Sequence, residues 1–191
     1  MAGQLIVISG PSGVGKTTIA QALLRNADFS RVVTATSRAP RPGERDGVDY
    51  LFLSTAGFEE RLRRGDFLEH ALVHGHHYGT PRQAVLDGAA ADKRLVLVID
   101  VQGARQVKES AGSKLARIPL TLFFIEPPSF DELERRLRAR ATDSPEQVER
   151  RLATARKEMA ERPLYDHIVH NDTVERAAEE ILRVLGYRPS P

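Results

Sequence analysis

A chain of 191 residues suffices for one compact domain with insertions, which buries roughly 70% of the surface its unfolded form exposes. The absence of cysteine excludes disulfides and thiolate metal sites, and no window approaches the roughly 18 apolar residues of a membrane span, so a soluble cytoplasmic protein without a targeting segment is expected. With 28 Lys and Arg against 26 Asp and Glu, a net charge of +2, the surface is too evenly mixed to make nucleic acid the expected partner, despite a pI near 9.1.

The first apolar run, residues 5–8, reads as a buried strand, and GPSGVGKT follows directly from Gly10 to Thr17. This is a full match to G-x-x-x-x-G-K-[ST], in the strand, loop and helix context that the motif requires. Glycines at 10, 13 and 15 let the backbone turn its N–H groups inward, around Pro11, Ser12 and Val14, to cradle phosphate oxygens. Lys16 adds a mobile positive charge. Thr17 and Thr18 open a helix whose N-terminus faces the same anion, and the Thr17 hydroxyl is placed for a magnesium ion. A nucleoside triphosphate is the expected ligand.

From residue 34 to about 82 the chain is short-paced, polar and punctuated by Pro and Gly, as expected of a small mostly-β insertion. Arg38 and Arg41 stand three residues apart beside prolines, with Tyr50 beyond them. Two guanidiniums on stiff backbone suit a phosphomonoester, because each can donate paired hydrogen bonds to phosphate oxygens, although composition alone favours a solvated Arg-Pro loop. His70, His74, His76 and His77 follow within eight residues. Alternation along one strand would put the first three on one face, and a solvated rim beside Tyr78 is preferred to a metal site.

Strands are expected at 32–33, 50–53, 67–73, 95–99, 120–125 and 167–169, with helical patterns between them, giving a parallel sheet covered by helices. The runs at 95–99 and 120–125 are nearly continuous in apolar residues and should lie beside the first strand. Asp100 ends the former at the carboxyl edge, where open α/β sheets place ligands; a turn-starting Asp is the plainer alternative. Residues 127–163 form a charged helical hairpin with a break near 142–145, suited to a lid. Arg135, Arg136, Arg138 and Arg150 each follow a carboxylate by four residues, whereas Arg140 and Arg151 do not and should be freer to meet an external anion. The last helix is expected to begin with a capping box from Asp172 to Glu175.

Six blocks in order, GPSGVGKT, TSRAPRPGERDGVDYLF, GDFLEHALVHGHHYGTPR, VLVIDVQGA, RLRARATDSPEQVERRL and YDHIVHND, resemble the successive motifs of the guanylate kinase family over nearly the whole chain. The stretch from Arg38 to Tyr50 is the most specific of them. The resemblance implies the P-loop nucleoside-monophosphate-kinase fold and ATP-dependent phosphorylation of GMP to GDP, with dGMP as a further acceptor, in purine nucleotide metabolism and GMP recycling. It implies one domain with a core at 1–33, 83–126 and 164–191, a GMP-binding insertion at about 34–82 and a lid at about 127–163.

Carried over residue by residue, the resemblance implies that Gly10 to Thr18 and Asn171 bind ATP, with Mg2+ on Thr17 and Asp100 reaching it through water. Arg38, Arg41, Tyr50 and Tyr78 would bind the GMP phosphate. Glu69, with Thr34 and Thr80, would read guanine, whose N1–H and N2–H₂ donors match a carboxylate where adenine N1 offers only an acceptor. Asp100 also belongs to the implied GMP set. Lys16, Arg136, Arg140 and Arg151 are the implied catalytic residues. In place of a second acid two residues before Asp100 stands Val98, which weakens the role carried over to Asp100. A kinase for another phosphorylated acceptor and an inactive protein-binding relative are the alternatives, and oligomeric state is left open.

Overall fold

The computed structural model describes residues 3–73, 75–113, 115, 117–139 and 145–187. In chain order it contains β1 (Gln4–Ser9), α1 (Lys16–Leu23), β2 (Phe29–Arg31), β3 (Ala35–Thr36), β4 (Leu51–Phe52), α2 (Thr55–Arg63), β5 (Phe67–Val73), β6 (His76–Pro81), α3 (Arg82–Ala90) and β7 (Arg94–Val98). There follow α4 (Val101–Ser110), β8 (Leu120–Glu126), α5 (Phe130–Arg138), α6 (Pro145–Met159), a 3₁₀ turn at Arg162–Leu164, β9 (His167–His170) and α7 (Val174–Val184). Five strands form one sheet in the order β2-β7-β1-β8-β9, the parallel core of the fold. The apolar runs expected next to β1 are indeed its neighbours, β7 and β8, whose central residues are fully buried because helices cover such strands. Among the described residues no helix is long and apolar enough to cross a membrane.

Two local expectations are corrected. The strand expected at 32–33 lies earlier, as β2, anchored by buried Phe29, whose ring meets Tyr187 edge-on at 5.1 Å. The expected capping box at α7 is absent: Thr173 is the N-cap and its side chain accepts from the Arg176 N–H, while Asp172 pairs with the Arg176 guanidinium at 3.3 Å. Thr, like Asp, is among the preferred caps, and its position one residue later leaves Arg176, not Glu175, at the third helical position.

By its contacts the chain divides into two compact units. One comprises Met1–Leu5, Ser30–Leu97 and Gln102–Leu120. Within it, β3 pairs in parallel with β4 and antiparallel with β6, and β5 and β6 form a hairpin, giving the order β4-β3-β6-β5. Buried Ala35, Phe58 and Phe67 pack with Leu51, Leu53 and Leu62 between this sheet and α2. The Phe58 and Phe67 rings stack at 4.4 Å over Gly79, where a Cβ would come within 3.0 Å of both. The edge of β5 is closed by Gln106, whose side-chain amide donates to His70 O (2.7 Å) and accepts from His70 N (3.1 Å), replacing a missing strand.

The other unit comprises Ile6–Phe29, Val98–Val101 and Thr121–Pro191. Here β8 runs parallel to β9, and α1 packs on α7. The hairpin expected from the charged stretch is present as α5 and α6, which share a small core of Leu133, Leu137, Val148, Leu152 and Ala155. Ser129 caps α5 by accepting from the Glu132 N–H.

Candidate active site

In the second unit, the glycine loop joins β1 to α1 as the motif requires. Gly10, Gly13 and Gly15 have φ of 134°, 88° and 96°, which residues with a Cβ rarely adopt. Gly15 is the N-cap of α1, so the helix starts at Lys16 rather than at Thr17. The Lys16 ammonium folds back on the loop, donating to Gly10 O at 2.6 Å and Pro11 O at 2.9 Å. Thr17 and Thr18 remain exposed, with their hydroxyls open to a ligand.

Around this loop the fold gathers Asp100, Glu158, Tyr165 and Ser9. The buried Tyr165 hydroxyl donates to Ser9 Oγ at 2.9 Å, and burial raises its pKa. Burial likewise pushes the Glu158 carboxyl above the ordinary glutamate range; Lys16 opposes that rise, Asp100 adds to it and the Ser12 N–H opposes it. Asp100 therefore stands in the same unit as the phosphate loop, as the sequence led us to expect. Glu158 was not anticipated, because its place near the end of α6 follows no spacing signal.

A cleft of about 530 Å³ beside the loop is lined by Gly13, Gly15, Arg136, Asn171 and Thr173 among others, a size suited to a small ligand. Asn171 closes its inner wall: its Nδ2 donates to Val14 O (2.6 Å) and its backbone N–H to Glu126 O (2.8 Å). Arg136 donates to Asn171 O at 3.3 Å and pairs with Glu132 at 2.8 Å. The expected i,i+4 pairing also holds for Arg138 with Glu134, whereas Arg135 turns to Glu132 instead of Asp131, since Glu132 already faces both arginines. Arg151 lies on α6 and has an interaction within the protein. Arg140 lies outside the described residues.

The other unit carries the arginine clamp. Arg38 Nη1 and Nη2 donate to the two oxygens of Glu44, each at 2.9 Å, and Nε donates to Tyr78 Oη at 3.3 Å. Glu44 also accepts from the Arg41 backbone N–H at 2.7 Å, which closes the Pro-Gly turn. Tyr50 and Tyr78 meet edge-on at 6.0 Å, with the Arg38 guanidinium 5.4 Å from the centre of the Tyr50 ring. Burial raises the Tyr50 pKa, which keeps its phenol a donor. The Arg41 side chain is exposed. Glu44 holds its carboxyl below the ordinary range through Arg38, and this acid was not singled out from the sequence; its position three residues past Arg41 was the available signal.

On the same four-stranded sheet, β5 and β6 bring Glu69 opposite Thr80. The Thr80 hydroxyl donates to Glu69 Oε1 at 2.5 Å, and both residues are buried, as is Thr34. A carboxylate so enclosed needs donors to offset its lost hydration, and the Thr80 hydroxyl is one of them. The histidines, by contrast, are split by the hairpin. His70 is on β5 and His76 and His77 are on β6, so they do not alternate along one strand; His77 stacks on Phe58 at 5.1 Å, and His74 lies outside the described residues. Among the described residues no three His, Cys, Asp or Glu side chains are grouped to hold a metal by themselves.

The guanylate kinase family model matches residues 2–187. A guanylate kinase from Gloeobacter violaceus is 49% identical over 183 residues, covering 95% of this chain and 86% of that protein. One from Bifidobacterium longum is 48% identical over 189 residues, covering 97% and 94%. The crystal structure of guanylate kinase from Anaplasma phagocytophilum superposes with a TM-score of 0.76 at 32% identity, covering 97% of this chain and 85% of that one.

Proposed function

The chain belongs to the guanylate kinase family, and on that premise we propose how its residues divide the work of the reaction. The reaction is transfer of the ATP γ-phosphoryl group to a phosphate oxygen of GMP, which yields ADP and GDP. The observation that carries the assignment is the buried Glu69–Thr80 pair on the same sheet as the Arg38 clamp, which offers one nucleotide both a base reader and a phosphate holder.

GMP would lie with guanine N1–H and N2–H₂ donating to Glu69, with Thr34 and Thr80 beside the base, and its phosphate against Arg38, Arg41, Tyr50 and Tyr78. Fixing a leaving group and an acceptor in line is most of what phosphoryl transfer asks of a protein, because the charge in the transition state is spread over the transferring oxygens. Residues 10–18 would hold the ATP phosphates, Lys16 lending its charge, and Asn171 would hold the adenine end of the cleft. Arg136, Arg140 and Arg151, all in the stretch 127–163, would neutralise the γ-phosphate and shield it from water. No general base is needed. Residues 34–82 would act as the GMP lobe and 127–163 as the lid.

The family uses ATP with a divalent metal, and Mg2+ suits the oxygen-only groups found here: the exposed Thr17 hydroxyl, Asp100, and a buried Glu158 oxygen without a partner. When bound, the ion would spread the charge of the β- and γ-phosphates. dGMP lacks only a hydroxyl that none of the named residues is assigned to read, and is proposed as a second acceptor.

The test is ADP formation from ATP and Mg2+ with AMP, CMP, GMP, UMP or ribosyl phosphates as acceptor. Response to GMP alone supports the assignment, and equal response to AMP would sink the role of Glu69.

A further inference from the structure

The carboxylate proposed to read guanine stands on a strand with an open side. In the order β4-β3-β6-β5, β5 comes last, so its outer edge has no strand to meet. Its ladder is also irregular at the residue that matters. The register shifts between Phe67 and Glu69, so that Leu68 falls between the pairing of Phe67 with Pro81 and that of Glu69 with Thr80. Such a bulge re-aims the side chain beside it and interrupts the ladder that would hold it.

Gln106 supplies what this edge lacks. Its side-chain amide offers a C=O and an N–H, as a peptide unit does, and it accepts from His70 N at 3.1 Å and donates to His70 O at 2.7 Å, from 36 positions away. The His70 N–H belongs to the peptide unit that begins at Glu69, and the His70 C=O belongs to the next. One side chain thus holds both peptide planes that follow the Glu69 Cα. Gln106 is itself well placed to do so, half-buried on α4 between Ala104 and Val107, which are fully buried. Neither close relative of glutamine could replace it: Asn falls a methylene short, and Glu has no donor for His70 O.

We propose that Gln106 is a positioning residue for guanine selection, setting the direction of the Glu69 carboxylate through the main chain. This rests on the reading of Glu69 given above and deepens it. The Thr80 hydroxyl fixes Oε1 from within the sheet, while the bulge and Gln106 fix the Cα from which the side chain leaves. Guanine N1–H and N2–H₂ are parallel donors that a carboxylate meets only when correctly turned, and a misplacement of about 1 Å can cost about 10²-fold. Base preference therefore depends on a helix residue outside the sheet.

The experiment is steady-state kinetics of the full chain with GMP and with IMP, which lacks the N2 amino group, in wild type, Gln106→Met and Gln106→Glu, together with hydrogen exchange at the His70 amide. Gln106→Met keeps the length and loses both hydrogen bonds. It should speed exchange at His70, raise the KM for GMP about tenfold with kcat within about twofold, and lower the GMP-to-IMP ratio of kcat/KM about fivefold, because IMP has one donor fewer to lose. Gln106→Glu still accepts from the His70 N–H, so its ratio should lie between. An unchanged titration with the imido analogue of ATP certifies the fold of both variants. A wild-type ratio in both variants overturns the proposal. So does an equal loss for GMP and IMP, which a generally loosened sheet would give. Wild type that treats GMP and IMP alike would instead sink the reading of Glu69, a distinct result.

Discussion

Arg38 presents Nη1 and Nη2 to separate oxygens of Glu44, both at 2.9 Å, so the guanidinium is held as a flat fork before a phosphate reaches it. The two side chains are 11% and 20% exposed, so neither is a loosely screened surface charge. Fixing a rotamer-rich side chain in advance removes a cost that binding would otherwise bear. Glu44→Ala should raise the KM for GMP about tenfold with kcat nearly unchanged, while Arg38→Ala, which leaves Glu44 unpaired, should cost about 100-fold. Steady-state kinetics with varied GMP decides it; a lower KM in Glu44→Ala would show that the acid competes with the phosphate rather than preparing its site.

Glu69 accepts from Thr80 and is 4% exposed. Glu69→Gln puts an amide donor opposite guanine donors, and mismatched buried polar groups reject a substrate by roughly 10⁴-fold. Expected are a fall in kcat/KM for GMP of about 10³-fold or more and no matching rise for AMP. A loss below tenfold would remove Glu69 from base recognition.

A methyl group at position 15 meets two obstacles, the φ of 96° and the Asn171 side-chain amide lying directly in its path. Gly15→Ala should therefore abolish measurable ATP binding while GMP binding stays within about twofold, since the clamp belongs to the other compact unit. Separate calorimetric titrations with each nucleotide provide the check.

Arg135 and Arg136 together draw the Glu132 carboxyl from the ordinary 4.5 down to about 2. An acid with a lowered folded-state pKa stabilises the fold above its ordinary value, and that contribution fades as pH falls from about 4.5 towards 2. Carboxyl carbon NMR should show a midpoint near 2, moving upward in Arg136→Gln. A wild-type midpoint at the ordinary value would mean that the pairs do not persist in solution.

Arg140→Ala and Arg151→Ala should each lower turnover by about 10²-fold or more while ATP affinity changes only a few-fold, as expected of charges that act on the transferring group. Turnover equal to wild type in both variants would refute their catalytic role.

Much of this site is local and therefore readable from neighbours along the chain. The loop from Gly10 to Thr17 needs only glycine freedom, a preceding buried strand and a following helix, all of which are contiguous. The Arg38 to Tyr50 stretch is equally compact. The hairpin of β5 and β6 was harder: its histidines suggested one strand, because alternation says nothing about where the chain reverses, and Gly75 at φ 81° lies just past the end of β5. Glu44 was passed over because an acid in a polar turn resembles any solvated acid until Arg38 is seen to bond it twice. Cap choice at α7 turned on one residue, and Asp172 and Thr173 are nearly equivalent caps by type.

Taken alone, the amino-acid order determined the phosphate loop, the buried neighbours of β1 and the charged hairpin, since each depends on glycine torsions, apolar runs or helical spacing within a few residues. Tertiary structure decided the rest. Glu69 faces Thr80 across 11 positions, Asn171 closes on Val14 across 157, and Glu158 reaches the loop from the end of α6. Pairings of that range are set by strand register and helix packing, which depend on the whole buried core and leave no period in the sequence.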